Sequence, residues 1–572
     1  MENTVESNVR RWLDSPAVSD ADKDAIRAMS PAVLDASFFK NIEFGTGGMR
    51  GILGPGTNCM NVFTVGRATI GFGQYLLEKY PEAKTMGVCI SHDNRHMSRE
   101  FTFLCANILN EMGIKVYIFD ALRPTPELSF AVRRMRACGG IMITASHNPK
   151  EYNGFKIYDE KGCQPVPDKI AGVLAKIDAL PDELAAQVEP KAEVPGETIV
   201  LGPEIDDEYV AAVEKCQINP NLGKQGFPIV YTPNHGTSYE NAMRVFRDCG
   251  YEVTPVLSQC SHDPDFSGTL SPNPEDEKSY IEPLKLAEQI NAQLVVMTDP
   301  DGDRCGLAYK SSSGDYRLLT GNESAALLMD YIFSERKRLG ILSPEGVMYD
   351  TIVSSDLGRK IARYYGLKYE TFLTGFKFIG DRIGFYEDLG FGPHFEFGYE
   401  ESYGCLIDPF VRDKDGIQAI LLYCEMAVWY FHKGIPLDIA FDELQKRFGY
   451  HYARTTNIAF KGSSGAEDMR RLMDELRNNP PSEILGIKVA RFEDYQERVL
   501  KGSDGSVTAI TLPKSNAIKI VLEDGSWIAV RPSGTEPKCK FYVEAIQPTA
   551  DGIKEKWRSL TDDVLNSLGV ER

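Results

Sequence analysis

The sequence predicts an α/β protein built mainly on parallel sheets, followed by a different, antiparallel region near its carboxyl end. Up to about residue 445, short apolar runs typical of strands alternate with segments whose apolar residues recur at helical spacing. Several of the short runs end directly in loops rich in Gly, Ser, Asp or Asn, as at the carboxyl edge of a parallel sheet. From Ala517 onwards, apolar and polar residues alternate as they do in antiparallel strands.

Apolar periodicity and turn residues define the individual elements. The predicted strands are 87–91, 115–119, 139–144, 228–232, 293–298, 347–353, 368–373, 517–522, 526–530 and 539–543, and the predicted helices are 64–80, 98–112 and 554–568. The first 35 residues are expected to form a helix pair, and Ser98 is expected to cap a helix. Residues 180–197, rich in Pro, Glu and Ala, are typical of a linker, and Asp524-Gly525 predicts a hairpin turn.

Composition limits the class of protein. A length of 572 residues corresponds to roughly four domains. The net charge of −19 argues against binding to nucleic acid or to an acidic membrane surface. The sequence contains no apolar stretch of transmembrane length and no secretion signal at its start, and its twelve cysteines form no Cys-x-x-Cys pair. These features favour a cytoplasmic protein with reduced thiols.

Two short segments about 150 residues apart carry the strongest chemical signal. Thr144–Pro149 (TASHNP) places Ser146 in a tight loop after an apolar run. Asp299–Arg304 (DPDGDR) places Asp299, Asp301 and Asp303 at the end of another such run. Three clustered carboxylates raise one another's pKa values unless a cation neutralises them, and oxygen ligands suit Mg²⁺. If the fold joins the two loops, the chemistry is phosphoryl transfer through a seryl phosphate and a divalent metal.

Each segment also has a simpler interpretation. The aspartates could form an acidic surface turn, although an EF-hand is excluded because Arg304 and Lys310 occupy its glycine and glutamate positions. Ser146 could be a turn serine that caps a helix. It lies in no Gly-x-Ser-x-Gly elbow, and a dyad with the adjacent His147 is not expected because neighbouring side chains rarely face each other.

Further candidates lie in other loops. In 531–538 (RPSGTEPK), an arginine, hydroxyls and glycine-exposed amides suit a phosphate dianion, although a plain hairpin turn is the alternative. In Gly398–Gly404, paired acids and a serine suit sugar hydroxyls, or form an acidic turn. Lys156 and Lys377 each follow Gly-Phe; partly desolvated, they could relay protons, whereas the alternative is a surface lysine.

Taken in order, these four segments resemble the α-D-phosphohexomutase family. The resemblance rests on TASHNP at 144–149, DPDGDR at 299–304, EES at 400–402 and RPSGTEP at 531–537. Phe44–Gly51 also resembles an early Phe-Gly-Thr-x-Gly-x-Arg-Gly segment of the family, which implies that Arg50 lies near the phosphoserine. The likeness extends from about Glu43 to Val543 and is greatest to the long bacterial phosphoglucomutase branch.

The resemblance implies a heart-shaped molecule of four domains. Three similar α/β domains and a smaller antiparallel α+β C-terminal domain would surround a central cleft, each contributing one loop, and the smaller domain would hinge. The expected domains are 1–205 with the serine loop, 206–322 with the metal loop, 323–445 with the sugar loop and 446–572 with the phosphate loop.

The resemblance also implies an activity: interconversion of glucose 1-phosphate and glucose 6-phosphate through a phosphoserine and glucose 1,6-bisphosphate. Implied roles are metal binding for Ser146, Asp299, Asp301 and Asp303; charge stabilisation for Arg50 and Arg304; proton transfer for Lys156 and Lys377; hydroxyl binding for Glu400 and Ser402; and phosphate binding for Arg531, Ser533, Gly534 and Thr535. Mannose or pentose phosphates as substrates, a Mg²⁺-dependent serine phosphohydrolase and a non-catalytic sugar-phosphate binder remain alternatives. The sequence leaves open whether the protein is a monomer or a dimer.

Overall fold

The structure, a computed structural model, describes residues 4–45, 47–460, 465–533 and 538–570. These residues form two compact units. One unit comprises 1–321 together with 376–434, and the other comprises 322–375 together with 435–572. The described residues contain three α/β domains and an antiparallel C-terminal domain, which confirms the predicted fold class.

The first α/β domain contains a six-stranded sheet. Its strands, in spatial order, are Gly48–Ile52, Tyr152–Tyr158, Gly139–Ile143, Val88–His92, Val116–Phe119 and Thr198–Leu201. The last four run parallel and the first two join antiparallel. The helices of this region are Thr4–Asp14, Asp20–Ala28, Pro31–Phe38, Val62–Lys79, Ala83–Met86, Ser98–Glu111, Thr125–Met135 and Pro167–Ala179. The parallel order places the ends of Val88–His92 and Gly139–Ile143 side by side, and the serine loop begins there.

The second domain contains a five-stranded sheet in the order Tyr316–Leu319, Cys305–Lys310, Leu294–Thr298, Ile229–Thr232 and Val253–Pro255. The last three strands are parallel. Its helices are Pro203–Glu214, Tyr239–Asp248 and Ile281–Ile290, with short 3₁₀ turns at Leu257–Gln259 and Glu277–Tyr280. Every residue of Leu294–Thr298 is buried, as expected for a central strand covered on both faces.

Residues 376–434 complete the first unit. They form helix Lys377–Leu389, the antiparallel hairpin of His394–Glu400 with Gly404–Leu406, and the buried helix Gly416–His432. Asp415 caps that last helix by accepting hydrogen bonds from the backbone N–H groups of Ile417 and Gln418.

The second unit begins with helix Gly321–Leu339 from its second residue onwards. Strands Gly346–Thr351 and Lys368–Phe372 pair in parallel. The helices that follow are Asp356–Tyr364, Leu437–Phe448, Gly465–Asn478 and Ile553–Ser567. The eight-stranded antiparallel sheet of the described C-terminal region comprises Tyr450–Ala459, Glu483–Ile484, Ile487–Asp494, Val499–Gly502, Val507–Ala509, Ile518–Leu522, Trp527–Pro532 and Lys538–Gln547.

Two local predictions were wrong. The amino-terminal region forms three helices rather than a pair, because Ser19 and Ser30 each cap a new helix. Ser98 is the first residue of its helix and not the cap; Met97 occupies that position in a left-handed conformation, and the Ser98 hydroxyl donates to Asp93. All the cysteines lie in the described ranges, and none of them forms a disulfide bond. Among the described helices, none is both long and apolar enough to cross a bilayer.

Candidate active site

The serine loop follows the buried strand Gly139–Ile143 with a sharp reversal of the chain. Ser146 has a φ of +53°, and its backbone N–H donates to Thr144 Oγ1 at 2.8 Å. A non-glycine residue in this left-handed region is strained, so surrounding contacts must hold it there. The Ser146 side chain is buried.

Arg95 supplies those contacts. Its guanidinium donates to the carbonyl oxygens of Ser146 and Asn148 at 2.6 and 2.5 Å, and to those of Pro149 and Tyr152 at 2.7 and 3.0 Å. Its Nε donates to Asp93 Oδ2 at 3.1 Å. Both side chains of this pair are buried. One side chain from the loop after Val88–His92 therefore fixes the whole serine loop.

The three aspartates occupy the turn between the antiparallel strands Leu294–Thr298 and Cys305–Lys310. Gly302 has a φ of +72°, and its N–H donates to the Asp299 carbonyl at 3.0 Å. A Cβ on Gly416 would lie 2.7 Å from the Gly302 carbonyl oxygen, so glycine there allows helix Gly416–His432 to approach the turn. All three carboxylates are buried, and their ligand oxygens lie within 4.8 Å of one another.

The fold joins these two loops. The Ser146 hydroxyl donates to Asp299 Oδ2 at 2.7 Å. His147 Nδ1 also lies 3.3 Å from the hydroxyl oxygen, so the expectation that these adjacent side chains do not meet was wrong. The left-handed backbone at Ser146 turns the two side chains toward the same side. The contact with Asp299 is shorter and links the serine to the metal loop.

Two lysines offset part of the charge of the aspartates. Lys156 Nζ lies 2.6 Å from Asp301 Oδ2, and Lys414 Nζ lies 3.2 Å from Asp303 Oδ2. Burial and the two neighbouring carboxylates raise the pKa of Asp299 well above its usual value, and burial with Asp301 also raises that of Asp303. Burial opposes ionisation of Asp301 too, but Lys156 outweighs it and lowers the pKa.

The aspartate cluster fits a hard divalent cation. The Oδ1 atoms of Asp301 and Asp303 are buried and have no hydrogen-bond partner among the described residues. Unsatisfied carboxylate oxygens are costly in a protein interior, and a metal ion with oxygen ligands satisfies them. Asp299, Asp301 and Asp303 can therefore hold a metal together with an oxygen at Ser146.

The predicted sugar loop is the turn of the hairpin His394–Glu400 with Gly404–Leu406. Glu400 is buried, Ser402 is half-buried, and Tyr403 has a φ of +67°. Lys414 Nζ lies 3.8 Å from Glu400 Oε2, so this lysine lies between the sugar loop and Asp303. A Cβ on Gly404 would lie 2.0 Å from Lys414 Cδ, so glycine is required for the lysine to reach this position.

The remaining predicted residues of the first unit occupy varied positions. Arg50 is exposed on Gly48–Ile52 and donates to Asn148 Oδ1 at 2.9 Å, which places it beside the serine loop. The Arg304 guanidinium pairs with Glu275 Oε1 at 2.8 Å, and the Arg304 backbone N–H donates to Asp299 Oδ1 at 3.0 Å. Lys377 begins helix Lys377–Leu389, with its Nζ 5.6 Å from the centroid of the Phe378 ring.

The predicted phosphate loop belongs to the second unit. Arg531 is half-buried near the end of Trp527–Pro532, and the Ser533 backbone N–H donates to the Lys538 carbonyl at 2.7 Å. Gly534 and Thr535 lie outside the described residues.

Sequence reasoning missed Arg95, Lys414 and Thr125. The Thr125 hydroxyl donates to Asp301 Oδ2 at 3.0 Å. Arg95 follows a predicted strand, and Lys414 precedes a glycine and a long apolar helix. The sequence therefore indicates that Arg95 lies in a loop after a strand and that Lys414 lies in a loop before a helix. Nothing in the sequence identifies the groups that these two side chains contact.

Comparison with known proteins agrees with this arrangement. Four domain families, described as phosphoglucomutase/phosphomannomutase α/β/α domains I, II and III and the C-terminal domain, match residues 41–183, 207–314, 320–448 and 469–555. A phosphoglucomutase from Staphylococcus epidermidis is 36% identical over 530 residues, which cover 92% of this chain and 94% of that protein.

Solved structures share the fold at lower identity. Parafusin (a phosphoglucomutase) from Paramecium has a TM-score of 0.66 and 20% identity, covering 93% of this chain and 96% of that one. A phosphoglucomutase/phosphomannomutase family protein from Burkholderia thailandensis has a TM-score of 0.65 and 18% identity, covering 92% and 97%. The chain belongs to the phosphoglucomutase/phosphomannomutase family and is a phosphohexomutase, an isomerase-class enzyme that transfers phosphoryl groups.

Proposed function

We propose that the enzyme interconverts α-D-glucose 1-phosphate and glucose 6-phosphate through a phosphorylated Ser146 and glucose 1,6-bisphosphate. The observation that carries the proposal is the 2.7 Å hydrogen bond from Ser146 Oγ to Asp299 Oδ2 inside a buried carboxylate trio. A plain turn serine needs no such neighbour. A serine that carries a phosphate does, because a cation held by the trio neutralises the added negative charge.

The cation that we propose is Mg²⁺, held by Asp299, Asp301, Asp303 and an oxygen of phosphorylated Ser146. Three carboxylates and a phosphate oxygen form the hard oxygen set that Mg²⁺ prefers. The ion would supply electrostatic stabilisation of the charge on the transferring phosphoryl group.

Residues of this chain would bind and align the reactants. The oxygen of a sugar hydroxyl forms a bond to phosphorus while the bond from phosphorus to Ser146 Oγ breaks, which yields a bisphosphate and a free serine. Lys156 and Lys377 are the proposed groups for proton transfer: Lys377 would take up the hydroxyl proton, and Lys156, whose ammonium pairs with Asp301, would donate a proton to the released Ser146 oxygen. Transfer of the other phosphate back to Ser146 releases the isomeric monophosphate. Arg50 and Arg304 would stabilise negative charge beside the serine loop.

The other loops would hold the parts of the sugar that do not react. Arg531, Ser533, Gly534 and Thr535 are proposed to bind the distal phosphate, since arginine and a turn rich in N–H groups suit a dianion. Glu400 and Ser402 are proposed to bind sugar hydroxyls. Lys414 lies 3.8 Å from Glu400 Oε2 and 3.2 Å from Asp303 Oδ2, which supports a role in keeping the sugar and metal loops in register.

Glucose is proposed as the preferred sugar because the Glu-Glu-Ser turn resembles that of glucose-preferring relatives, and because proteins named phosphoglucomutase align along most of the chain. The test is a comparison of kcat/KM for glucose, mannose and ribose 1-phosphates, each with Mg²⁺ and a trace of the matching bisphosphate. Inorganic phosphate is measured in the same reactions. A higher value for mannose or ribose would reassign the substrate, and phosphate release as the main reaction would replace the mutase with a phosphohydrolase.

A further inference from the structure

Lys414 is held from more than one side by buried carboxylates. Its ammonium lies 3.1 Å from Asp413 Oδ1, 3.2 Å from Asp303 Oδ2 and 3.8 Å from Glu400 Oε2. The side chains of Lys414 and Asp413 are both buried. Because Asp303 belongs to the metal loop and Glu400 to the sugar loop, a small rotation of Lys414 would change its distance to both loops.

Asp413 is in turn fixed from the first domain. Its Oδ2 accepts hydrogen bonds from the Tyr158 hydroxyl at 3.0 Å and from Gln164 Nε2 at 3.2 Å, and the same Gln164 nitrogen lies 3.2 Å from the Tyr158 hydroxyl oxygen. Its Oδ1 accepts from the backbone N–H of Lys414 at 2.8 Å and from the Lys414 ammonium at 3.1 Å. The two oxygens of this carboxylate therefore act separately, because Oδ2 anchors the side chain to the first domain and Oδ1 holds the lysine.

Tyr158 reaches this carboxylate from the strand that also carries Lys156. In strand Tyr152–Tyr158, residues two positions apart point to the same face, so Lys156 and Tyr158 project together. Lys156 contacts Asp301, whereas Tyr158 contacts Asp413. This strand therefore positions the Lys156 ammonium directly and the Lys414 ammonium indirectly, through Asp413.

The packing at Gln164 is equally restrictive. A Cβ on Gly47 would lie 2.6 Å from Gln164 Oε1, so the glycine leaves the space that the amide occupies.

Burial opposes ionisation of Asp413, but the Lys414 ammonium outweighs it and lowers the pKa of Asp413 below its usual value. A buried carboxylate that stays ionised depends on its hydrogen bonds for stabilisation. Loss of the donor on Tyr158 or Gln164 should therefore carry a free-energy cost.

We propose that Tyr158 and Gln164 are positioning residues of the phosphoryl transfer, acting through Asp413 to hold Lys414 between Asp303 and Glu400. The inference rests on the proposed function, since it assigns a purpose to the position of Lys414 in that reaction. If these hydrogen bonds served only the fold, their loss would lower the stability of the protein by the same amount whether or not Lys414 is present.

A double-mutant cycle separates the two roles. Tyr158→Phe removes only the hydroxyl, and it is expected to lower kcat about ten-fold with a smaller change in KM, as for loss of a hydrogen bond to a charged group. In a Lys414→Met background the same substitution is expected to change kcat by less than about two-fold. Gln164→Met, at a half-buried site, should show the same dependence on Lys414 with a smaller effect.

Tyr495→Phe is the matched control, because the hydroxyl of that buried tyrosine donates to the buried carboxylate of Glu493 at 2.6 Å in the second unit. Its effect on kcat should be small in both backgrounds. An equal loss from Tyr158→Phe with and without Lys414, or no loss in the parent enzyme, would overturn the proposal.

Absence of mutase activity in the unsubstituted enzyme would refute the proposed function instead. In that case Mg²⁺ binding, measured by calorimetry on the same proteins, provides the readout. A several-fold change in Kd on Tyr158→Phe that disappears with Lys414→Met would support the positioning role, and a change that persists, or no change at all, would reject it.

Discussion

The Ser146 hydroxyl donates a 2.7 Å hydrogen bond to Asp299 Oδ2, across 153 positions of sequence and between two separate sheets. The contact depends on two turns with a positive φ, +53° at Ser146 and +72° at Gly302. Glycine adopts this conformation without strain, whereas a serine does so at a cost. The strain at Ser146 therefore points to function at the place where the side chains meet.

Substitution of the nucleophile is the most direct test of the mechanism. Ser146→Ala removes the only group proposed to carry the phosphate, so we expect turnover to fall by at least about 1,000-fold. Intact mass spectrometry should show one phosphoryl adduct on the unsubstituted protein and none on the variant. Ser279→Ala is the control, since that buried hydroxyl donates to the Asp276 carbonyl in the same unit. Undiminished turnover of Ser146→Ala would rule out the phosphoserine route.

The serine and aspartate loops could be predicted because each combines an apolar strand with an uncommon run of polar residues. The parallel strands that were predicted in the first two sheets lie within about one residue of their observed bounds for the same reason: burial on both faces leaves a continuous apolar run in the sequence. The edge strands Gly48–Ile52 and Tyr316–Leu319 were missed, because half-exposed strands lack such a run. The central antiparallel strands Tyr152–Tyr158 and Cys305–Lys310 were also missed, because glycine and lysine interrupt their apolar residues.

The partners of single charged residues could not be predicted. Arg95 and Lys414 have ordinary sequence surroundings, and their importance comes from carbonyl and carboxylate groups that only the tertiary structure brings close. The contact of His147 with Ser146 depends on a left-handed φ that a serine rarely adopts. These features depend on long-range packing rather than on local pattern.

Removal of the metal should abolish activity while leaving the protein folded. Lys156 and Lys414 already offset part of the charge of the three aspartates. We expect EDTA to eliminate turnover, added Mg²⁺ to restore it, and the melting temperature to fall by only a few degrees, since a ligand at 100 times its Kd contributes about 2.7 kcal/mol.

Lys414→Met refines this prediction. Without the ammonium 3.2 Å from Asp303 Oδ2, the trio loses a competing cation, so Mg²⁺ should bind several-fold more tightly by calorimetry. Lys285→Met removes an exposed lysine from the same unit and should leave the Kd unchanged. Global unfolding in EDTA, or weaker binding in Lys414→Met, would contradict this account of the charges.

Arg95 should be essential for the order of the serine loop. Arg95→Met leaves four carbonyl oxygens without their donor and the buried carboxylate of Asp93 without its ion pair. Breaking a buried pair costs about 3–5 kcal/mol. Hydrogen–deuterium exchange across 144–152 should accelerate strongly, and kcat should fall with it. The neighbouring Arg99→Met changes an exposed side chain and serves as control; equal exchange in the two variants would dismiss the role of Arg95.

Arg531→Ala should separate the two phosphate sites. If Arg531 binds the distal phosphate, its loss raises KM for glucose 1-phosphate at least about ten-fold, as expected when a charge-assisted hydrogen bond to phosphate is removed. Phosphorylation of Ser146 by excess bisphosphate, measured by intact mass, should be affected far less. If binding of glucose 1-phosphate and phosphorylation of Ser146 were weakened equally, Arg531 would not belong to the distal phosphate site.

Lys519 makes the stability of the second unit depend on pH. Its ammonium is buried, donates to the Ile352 carbonyl at 2.7 Å and lies 3.9 Å from the Trp527 ring centroid. Burial, reinforced by Arg359, lowers the pKa of Lys519 to about 8. Because the folded pKa lies below that of the unfolded chain, the unfolded state holds more protons between these values, and stability rises with pH from about 8 to 10.4.

The Lys519→Met variant lacks this ionisation, so the difference in unfolding free energy between the parent and the variant should change by up to about 1.4 kcal/mol per pH unit within that window. Urea unfolding monitored by tryptophan fluorescence at several pH values measures this difference, and subtraction cancels the titration of groups common to both proteins. Lys540→Met, at an exposed position of strand Lys538–Gln547, is the control and should run parallel to the parent. Parallel curves for the parent and Lys519→Met would mean that Lys519 stays charged in the folded protein throughout this range, and that its contacts with the Ile352 carbonyl and the Trp527 ring compensate fully for its burial.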